Sequence, residues 1–281
     1  MKTYFKSIVL IISIVLTSCT DVIDVEVQTA EARLVIEASL DWEKGTIGNE
    51  QTIKLSLSTP YFNSEENSIV TGAQVSVINN NNQLEFIFED QNNGEYTTSS
   101  FVPELNHDYT LIVQYNGETY TADETMMPVA DLDAIYQSTE EGFDDEVLEV
   151  NADFVDPIDE ENYYLFKIQK QNDLLPVLLD ISDKFTDGNQ ISVYYEREED
   201  EDINQEEFAV GDIVDVEFYG ISKQYYNYIG LLILQYESIG DPFSSTPVAL
   251  KGNCVNTTDT NNYAFGYFRL TQKVTASYTF E

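Results

Sequence analysis

From Leu34 onward, apolar and polar residues alternate with a period of two through LVIEAS, TIKLSLS, AQVSVIN, LEFIFED, GEYTTS, YTLIVQY and ETYTAD, segments rich in Val, Ile, Thr, Tyr and Phe. Side chains of a strand point alternately to its two faces, so the pattern predicts half-buried β-strands. Between the segments lie Asn79 to Asn82, Asn92-Asn93-Gly94 and Asn116-Gly117, the residue types that accept the positive φ of tight hairpins. Seven short strands in about 90 residues predict an Ig-like or transthyretin-like β-sandwich over residues 33–129. No longer internal repeat runs through the chain.

Met126-Met127-Pro128-Val129 interrupts the alternation, and the stretch after it is acidic and less regular, so a second β-rich domain is expected over 130–281. VLEVNADFVD, NYYLFKIQK, QISVYYERE, DIVDVEFYGI and the long NYAFGYFRLTQKVTASYTF read as its strands. Ser222 to Tyr236 differs: Ser222 is a candidate N-cap, and Tyr225, Ile229, Leu232 and Tyr236 recur at the spacing of one helix face. Gly230 weakens that helix by about 1 kcal/mol relative to Ala without removing the stripe. The expected fold is mainly β, with one principal helix near 222–238 packed across a sheet.

The N-terminus carries a different signal. Lys2 and Lys6 precede an apolar run from Ser7 to Leu16, which suits a signal peptide and is too short to cross roughly 30 Å of hydrocarbon. Leu16-Thr17-Ser18-Cys19 follows the lipobox pattern, with small residues beside the scissile bond and a thiol free to accept a diacylglyceryl group. Residues 1–18 are therefore expected to be a lipoprotein signal peptide, Cys19 the lipidation site, and 19–32 an acidic tether. Each acyl chain, palmitate for example, contributes about 0.8 kcal/mol per buried methylene, so two or three make a stable membrane anchor. Asp21, Asp24 and Glu26 resemble the export signal that sends some Gram-negative lipoproteins to the cell-surface side of the outer membrane; a solvated linker is the alternative. With Cys19 carrying lipid, Cys254 has no intrachain partner and reads as a small packed residue.

Charge narrows the partners. Against 13 Lys and Arg stand 51 Asp and Glu, a formal net charge of −38. Such a field repels phosphate backbones and excludes a nucleic-acid partner. A single histidine, His107, cannot assemble a transition-metal cluster, and the chain has no nucleophile elbow, Walker loop or dinucleotide-binding glycine motif. With so many carboxylates, acidic pairs carry no information, so no catalytic residue is assigned and a non-enzyme is expected. Within EREEDEDINQEE, Asp200, Asp202 and Asn204 occupy positions 1, 3 and 5 of an EF-hand loop, but position 6 is Gln205 and position 12 is Gly211. A solvated hairpin tip is the default there, with calcium at those three residues as the alternative. The pairs Tyr163-Tyr164, Tyr194-Tyr195 and Tyr225-Tyr226 suggest one ring inside and one outside, or else a platform for an unknown small-molecule or peptide ligand; the lone Trp42 argues against a sugar platform.

The segments VDPIDEENYYLFKI, ISDKFTDGNQI, FAVGDIVDVEFYGISKQYYNYI, DPFSSTPVALKGNC and NNYAFGYFRL resemble, in order and spacing, the bacterial lipoprotein family labelled domain of unknown function 4249, over essentially the whole mature chain. Its most specific parts are Gly211-Asp212 leading into the tyrosine-rich helix, and Asp241-Pro242-Phe243 leading on to Gly252-Asn253 and Gly266-Tyr267-Phe268. Cys254 departs from the resemblance, which more often shows an aliphatic residue there. The resemblance implies a lipid-anchored outer-membrane protein that partners a TonB-dependent transporter in nutrient uptake, with no catalytic residues and no cofactor beyond the lipid on Cys19. The alternative is a surface adhesion or structural module with no transport role.

Overall fold

The alternating segments become strands at their expected places: β1 (Leu34–Glu43), β2 (Gln51–Leu57), β3 (Gln74–Asn79), β4 (Leu84–Asp90), β5 (Glu95–Thr98), β6 (Asp108–Tyr115) and β7 (Glu118–Thr125). The computed structural model describes residues 31–59, 68–142, 144–199, 205–238 and 250–281, and residues 32–281 form one compact unit. In β1, Leu34, Ile36, Ala38 and Leu40 turn inward, while Glu37 and Ser39 turn out. Asn116 and Gly117 both take positive φ, 51° and 80°, as the β6–β7 hairpin requires.

These strands wrap round a single core. β4 belongs to both walls: Glu89 and Asp90 pair with β5, while Leu84–Phe88 pair with β3. Phe101 sits inside with its ring 5.0 Å from Phe86 and 5.6 Å from Tyr109. After β7 the chain meets the C-terminal strand β15 (Phe265–Thr279). Met127 bridges Thr271 in parallel, donating to Leu270 O at 3.3 Å and accepting from Gln272 N at 2.8 Å.

The second half adds β8 (Leu132–Ser138), β9 (Glu149–Val155), β10 (Tyr163–Lys170), β11 (Val177–Ser182), β12 (Gln190–Glu196), β13 (Ile213–Ile221), α1 (Lys223–Glu237) and the short β14 (Val255–Asn256), which pairs with β7. β11, β10, β13 and β15 continue the first sheet, and β12, β9 and β8 form a separate three-stranded sheet packed over one of its faces. Phe218 lies between them, 4.7 Å from the Phe154 ring and 4.4 Å from Phe166. On the opposite face, Tyr163, Leu165, Tyr219, Ile221 and Tyr267 receive Tyr225 and Ile229 of α1. Tyr163 and Tyr164 therefore do point to opposite faces, but both are buried, because this sheet is covered twice. That corrects the expectation of one ring outside; for Tyr194 and Tyr195 it holds, since Tyr194 is exposed and Tyr195 packs on the core.

The alternation did not announce β8, β11 or β14. Every residue of β11 is half-buried, so it has no inside and outside to alternate. Nor did it show that the chain returns to the first core. Met126 lies in that core and Val129 in the second, yet Cys254, Ala264, Phe268 and Leu270 are again in the first, while Val274, Tyr278 and Phe280 join the second. The return rests on the Gly-Asn pair of the family resemblance. At Gly252 (φ +82°) a Cβ would lie 1.6 Å from Gly266 O. The Asn253 side chain pairs with the β15 edge, donating to Phe268 O at 2.9 Å and accepting from Phe268 N at 2.8 Å.

Register also builds an ion cluster across three strands. Glu217 of β13 lies opposite Lys167 of β10, with Lys167 Nζ 2.6 Å from one carboxylate oxygen and Lys273 Nζ of β15 2.5 Å from the other. Burial works against this charge, but the two lysines outweigh it and bring the carboxyl from 4.5 down to about 2. A depressed carboxyl stabilises the fold above its unfolded value and loses that contribution as pH falls towards the folded one. Glu217→Gln should therefore lower stability by on the order of 2 kcal/mol at neutral pH. In denaturant titrations the deficit should shrink between pH 4.5 and about 2.

Candidate functional site

The seat of the helix is polar as well as apolar. Ser222 N-caps it in extended conformation: its Oγ accepts from Tyr225 N at 3.1 Å and donates to Glu124 Oε2 at 3.0 Å. Glu124, on β7, also accepts from Tyr267 OH at 3.2 Å and from Thr125 N at 3.1 Å. Burial pushes the Glu124 carboxyl up despite these donors and the nearby Arg269, and pushes the Tyr267 hydroxyl up as well. Beside them Arg269 of β15 is buried, donating to Asp41 Oδ1 at 2.6 Å and to Tyr225 OH at 3.3 Å. Its guanidinium lies 4.8 Å from the Tyr219 ring centre and 5.0 Å from that of Tyr225, a geometry that cation–π attraction favours. Burial opposes the charge on Arg269, and the carboxylate of Asp41 more than restores it. Five elements, β1, β7, β13, β15 and α1, are thus tied at the N-terminal end of the helix.

Its C-terminal half is held differently. Of the expected stripe, Tyr225 and Ile229 are buried, but Leu232 is 41% exposed and Tyr236 64%, and beside them Leu231 is 52% and Leu234 62% exposed. Ile233 alone of these later apolar residues packs on the underlying cluster. Four large apolar side chains within one and a half turns of helix face solvent on a body that is otherwise densely acidic. Contiguous exposed apolar patches are what contact surfaces are commonly built from, whereas scattered apolar residues are ordinary.

The profile of the family described as "Domain of unknown function (DUF4249)" matches residues 20–277. The chain belongs to that family. No curated protein matches it. Among solved structures, it is similar to a two-domain fibronectin type III segment of chicken tenascin, with 10% identity over 61% of this chain and 85% of that one at a TM-score of 0.22. The FN1–FN3 domains of chicken CNTN1 give 9% identity over 66% and 62% at 0.26. A DUF4785 family protein from Legionella pneumophila gives 12% over 69% and 53%, also at 0.26.

Elsewhere in this DUF4249 chain, sequence-derived candidates have ordinary surroundings or lie beyond description. Cys19 and the calcium candidates Asp200, Asp202 and Asn204 fall outside the described residues. His107 is half-buried in a loop, its Nδ1 3.0 Å from Asn79 Nδ2 and 3.3 Å from Glu104 Oε2. Cys254 is buried, and desolvation pushes its thiol up to about 12, which keeps it from acting as a thiolate. Trp42 donates to Thr46 O at 3.0 Å within its own turn. A shallow depression of about 320 Å³ opens beside β1, lined by Leu34, Leu57, Tyr115, Glu118, Tyr120 and Asn262 among others.

One group that the sequence did not single out is made by folding. Asp156, Asp183 and Asp187 bring carboxylate oxygens within 4.8 Å of one another. Oxygens at that spacing could hold a hard cation. Each carboxylate, however, already accepts protein donors: Asp156 from Tyr164 OH at 2.6 Å and Gly188 N at 3.2 Å, Asp183 from Asn162 N at 2.8 Å, and Asp187 from Asp159 N at 3.0 Å. The group thereby clamps the loop after β9 to the loop after β11. No signal short of the fold joins Asp156 to Asp183 and Asp187, which lie together on a separate segment.

The seat of α1 makes its own prediction. Asp41→Asn leaves the buried guanidinium without a counter-charge and should cost about 3 kcal/mol in chemical unfolding. Combining it with Arg269→Met, which removes the charge as well, should recover most of that loss.

Proposed function

We propose that this DUF4249 protein is a non-enzymatic, lipid-anchored accessory protein of the outer membrane that docks on a TonB-dependent transporter and assists nutrient uptake. The single observation that carries the docking is the solvent-facing apolar end of α1, Leu231, Leu232, Leu234 and Tyr236, on a helix fastened at its other end. A rigid helix presenting leucines and a tyrosine loses little conformational freedom on binding, and such residues suit the dry centre of an interface. The net charge of −38 supports a protein partner over an anionic bilayer surface for that face. The anchor rests on the lipobox at Cys19, and among the described residues no helix is long and apolar enough to cross a membrane. Acyl chains at the N-terminus would hold the acidic body near a barrel and raise its effective concentration there.

Affinity purification of the full chain from membranes solubilised in mild detergent tests this. A transporter barrel should co-purify with the wild type, and Leu231→Ser with Leu234→Ser should reduce its recovery by about tenfold or more. As solvent-facing changes, these should shift stability by only about 0.5 kcal/mol each. Clean recovery of the wild-type chain with no barrel attached would sink the proposal.

A further inference from the structure

Along β9, Val150, Ala152 and Phe154 point into the second core, so Glu149 and Asn151 point to the outer face of the three-stranded sheet. Alternation alone would leave both in solvent, yet each is fully buried. Glu149 is the middle of a row across the sheet, opposite Ser138 of β8 on one side and Glu196 of β12 on the other. The turn that follows β8 covers them, with Glu141 N donating to Glu149 Oε1 at 3.0 Å and Asp144 N to Glu196 Oε2 at 3.3 Å.

The two oxygens of Glu149 are treated unequally. Oε1 accepts from Ser138 Oγ, from Glu141 N and from Asn151 Nδ2 at 3.3 Å. Oε2 is buried with no hydrogen-bond partner, and so is Oδ1 of Asn151. Gly142 packs against the two carboxylates of this row. A Cβ built there would lie 1.7 Å from Glu196 Oε2 and 3.0 Å from Glu149 Oε2. Gly142 does not have the left-handed backbone that demands glycine; its missing side chain lets the Glu196 carboxylate lie close against the turn, beside that of Glu149.

Two carboxylates directly opposite on neighbouring strands repel one another, and more so where water is excluded. Arg197, the next residue along, is committed to Asp173, gripping both of its carboxylate oxygens. Glu140, Glu141, Asp144, Asp145 and Glu146 in the covering turn add further negative charge. Glu149 Oε2 without a donor, the Glu196 carboxylate beside it and the bare amide oxygen of Asn151 bring oxygen acceptors together. We propose that Glu149, Glu196 and Asn151 form a binding site for a divalent, oxygen-preferring cation of the calcium class. The donors are all hard oxygens, with no imidazole or thiolate to select zinc or copper. Two carboxylates match the cation's charge, and calcium accepts the mixed carboxylate and amide set that a turn can complete with backbone carbonyls and water. The site is separate from the Asp156 group, whose carboxylates already have donors.

Isothermal titration of the chelator-stripped full chain with calcium chloride, in about 0.15 M salt to screen diffuse attraction, decides the matter. The wild type should bind one calcium per chain and gain thermal stability with it. Glu149→Gln should weaken binding by more than about tenfold and abolish the thermal shift. Gly142→Ala, whose methyl group would push Glu196 Oε2 from its place beside Glu149, should do the same with the far-ultraviolet dichroism unchanged, and so decides the question even if Glu149→Gln folds poorly. Asp183→Asn, in the other acidic group, should leave the site intact. Absence of calcium binding by the wild type overturns the proposal. So does equal binding by the wild type and Gly142→Ala, the mark of diffuse association with an acidic surface, and so does loss confined to Asp183→Asn.

Discussion

The hydrogen-bonded course of β15 is the constraint on which the rest of this molecule depends. Its first nine residues, Phe265 to Lys273, pair in parallel with Val35 to Glu43 of β1, and from Lys273 to Thr279 it pairs antiparallel with β13. One face of the strand supplies Phe268 and Leu270 to the first core and Val274 and Tyr278 to the second. The other supplies Tyr267 and Arg269 to the seat of the helix. Strands of globular proteins usually run to five or six residues; this one has fifteen. The two cores and the helix are consequently coupled through one piece of backbone, and Gly266 allows the close approach, since a Cβ there would lie 2.0 Å from Ile36 O.

The polar seat of α1 follows from that geometry. Burying Arg269 and Glu124 carries a desolvation cost, offset only because Asp41, Ser222, Tyr225 and Tyr267 supply partners in the right places. An apolar seat would also hold a helix, but a directional network holds it in one register. The consequence is an N-terminal half of α1 anchored from below and a C-terminal half with its leucines uncovered. Docking through that end, as proposed, would use a surface already ordered before the partner arrives.

Much of the fold was legible along the chain because strand alternation, Asn-Gly turns and an N-capped helical stripe are local signals. The seven strands of the first sandwich and the helix stand where those signals put them. Legibility failed where burial is not one-sided. β11 is half-buried throughout, and β10 is covered on both faces, so that Tyr163 and Tyr164 are both inside. The exposed end of α1 was read as the rest of a packing stripe, since Leu232 and Tyr236 have the same spacing whether or not a sheet lies beneath them. The Gly252-Asn253 pair stood out through the family resemblance alone; its physical role, a side chain serving as the neighbour of a strand, needed the structure.

What the amino-acid sequence determined by itself was direction: which side chains share a face, where the chain turns, and where one helix begins. What only the tertiary structure decided was cover. Glu149 and Asn151 alternate outward and are nevertheless buried, while Leu231 and Leu234 belong to the most apolar stretch of the helix and are nevertheless exposed. The physical reason is that periodicity records the local geometry of the backbone, set within a few residues. Burial instead depends on which distant segment lies on top, and here those segments are a turn, a second sheet and a strand from the far end of the chain.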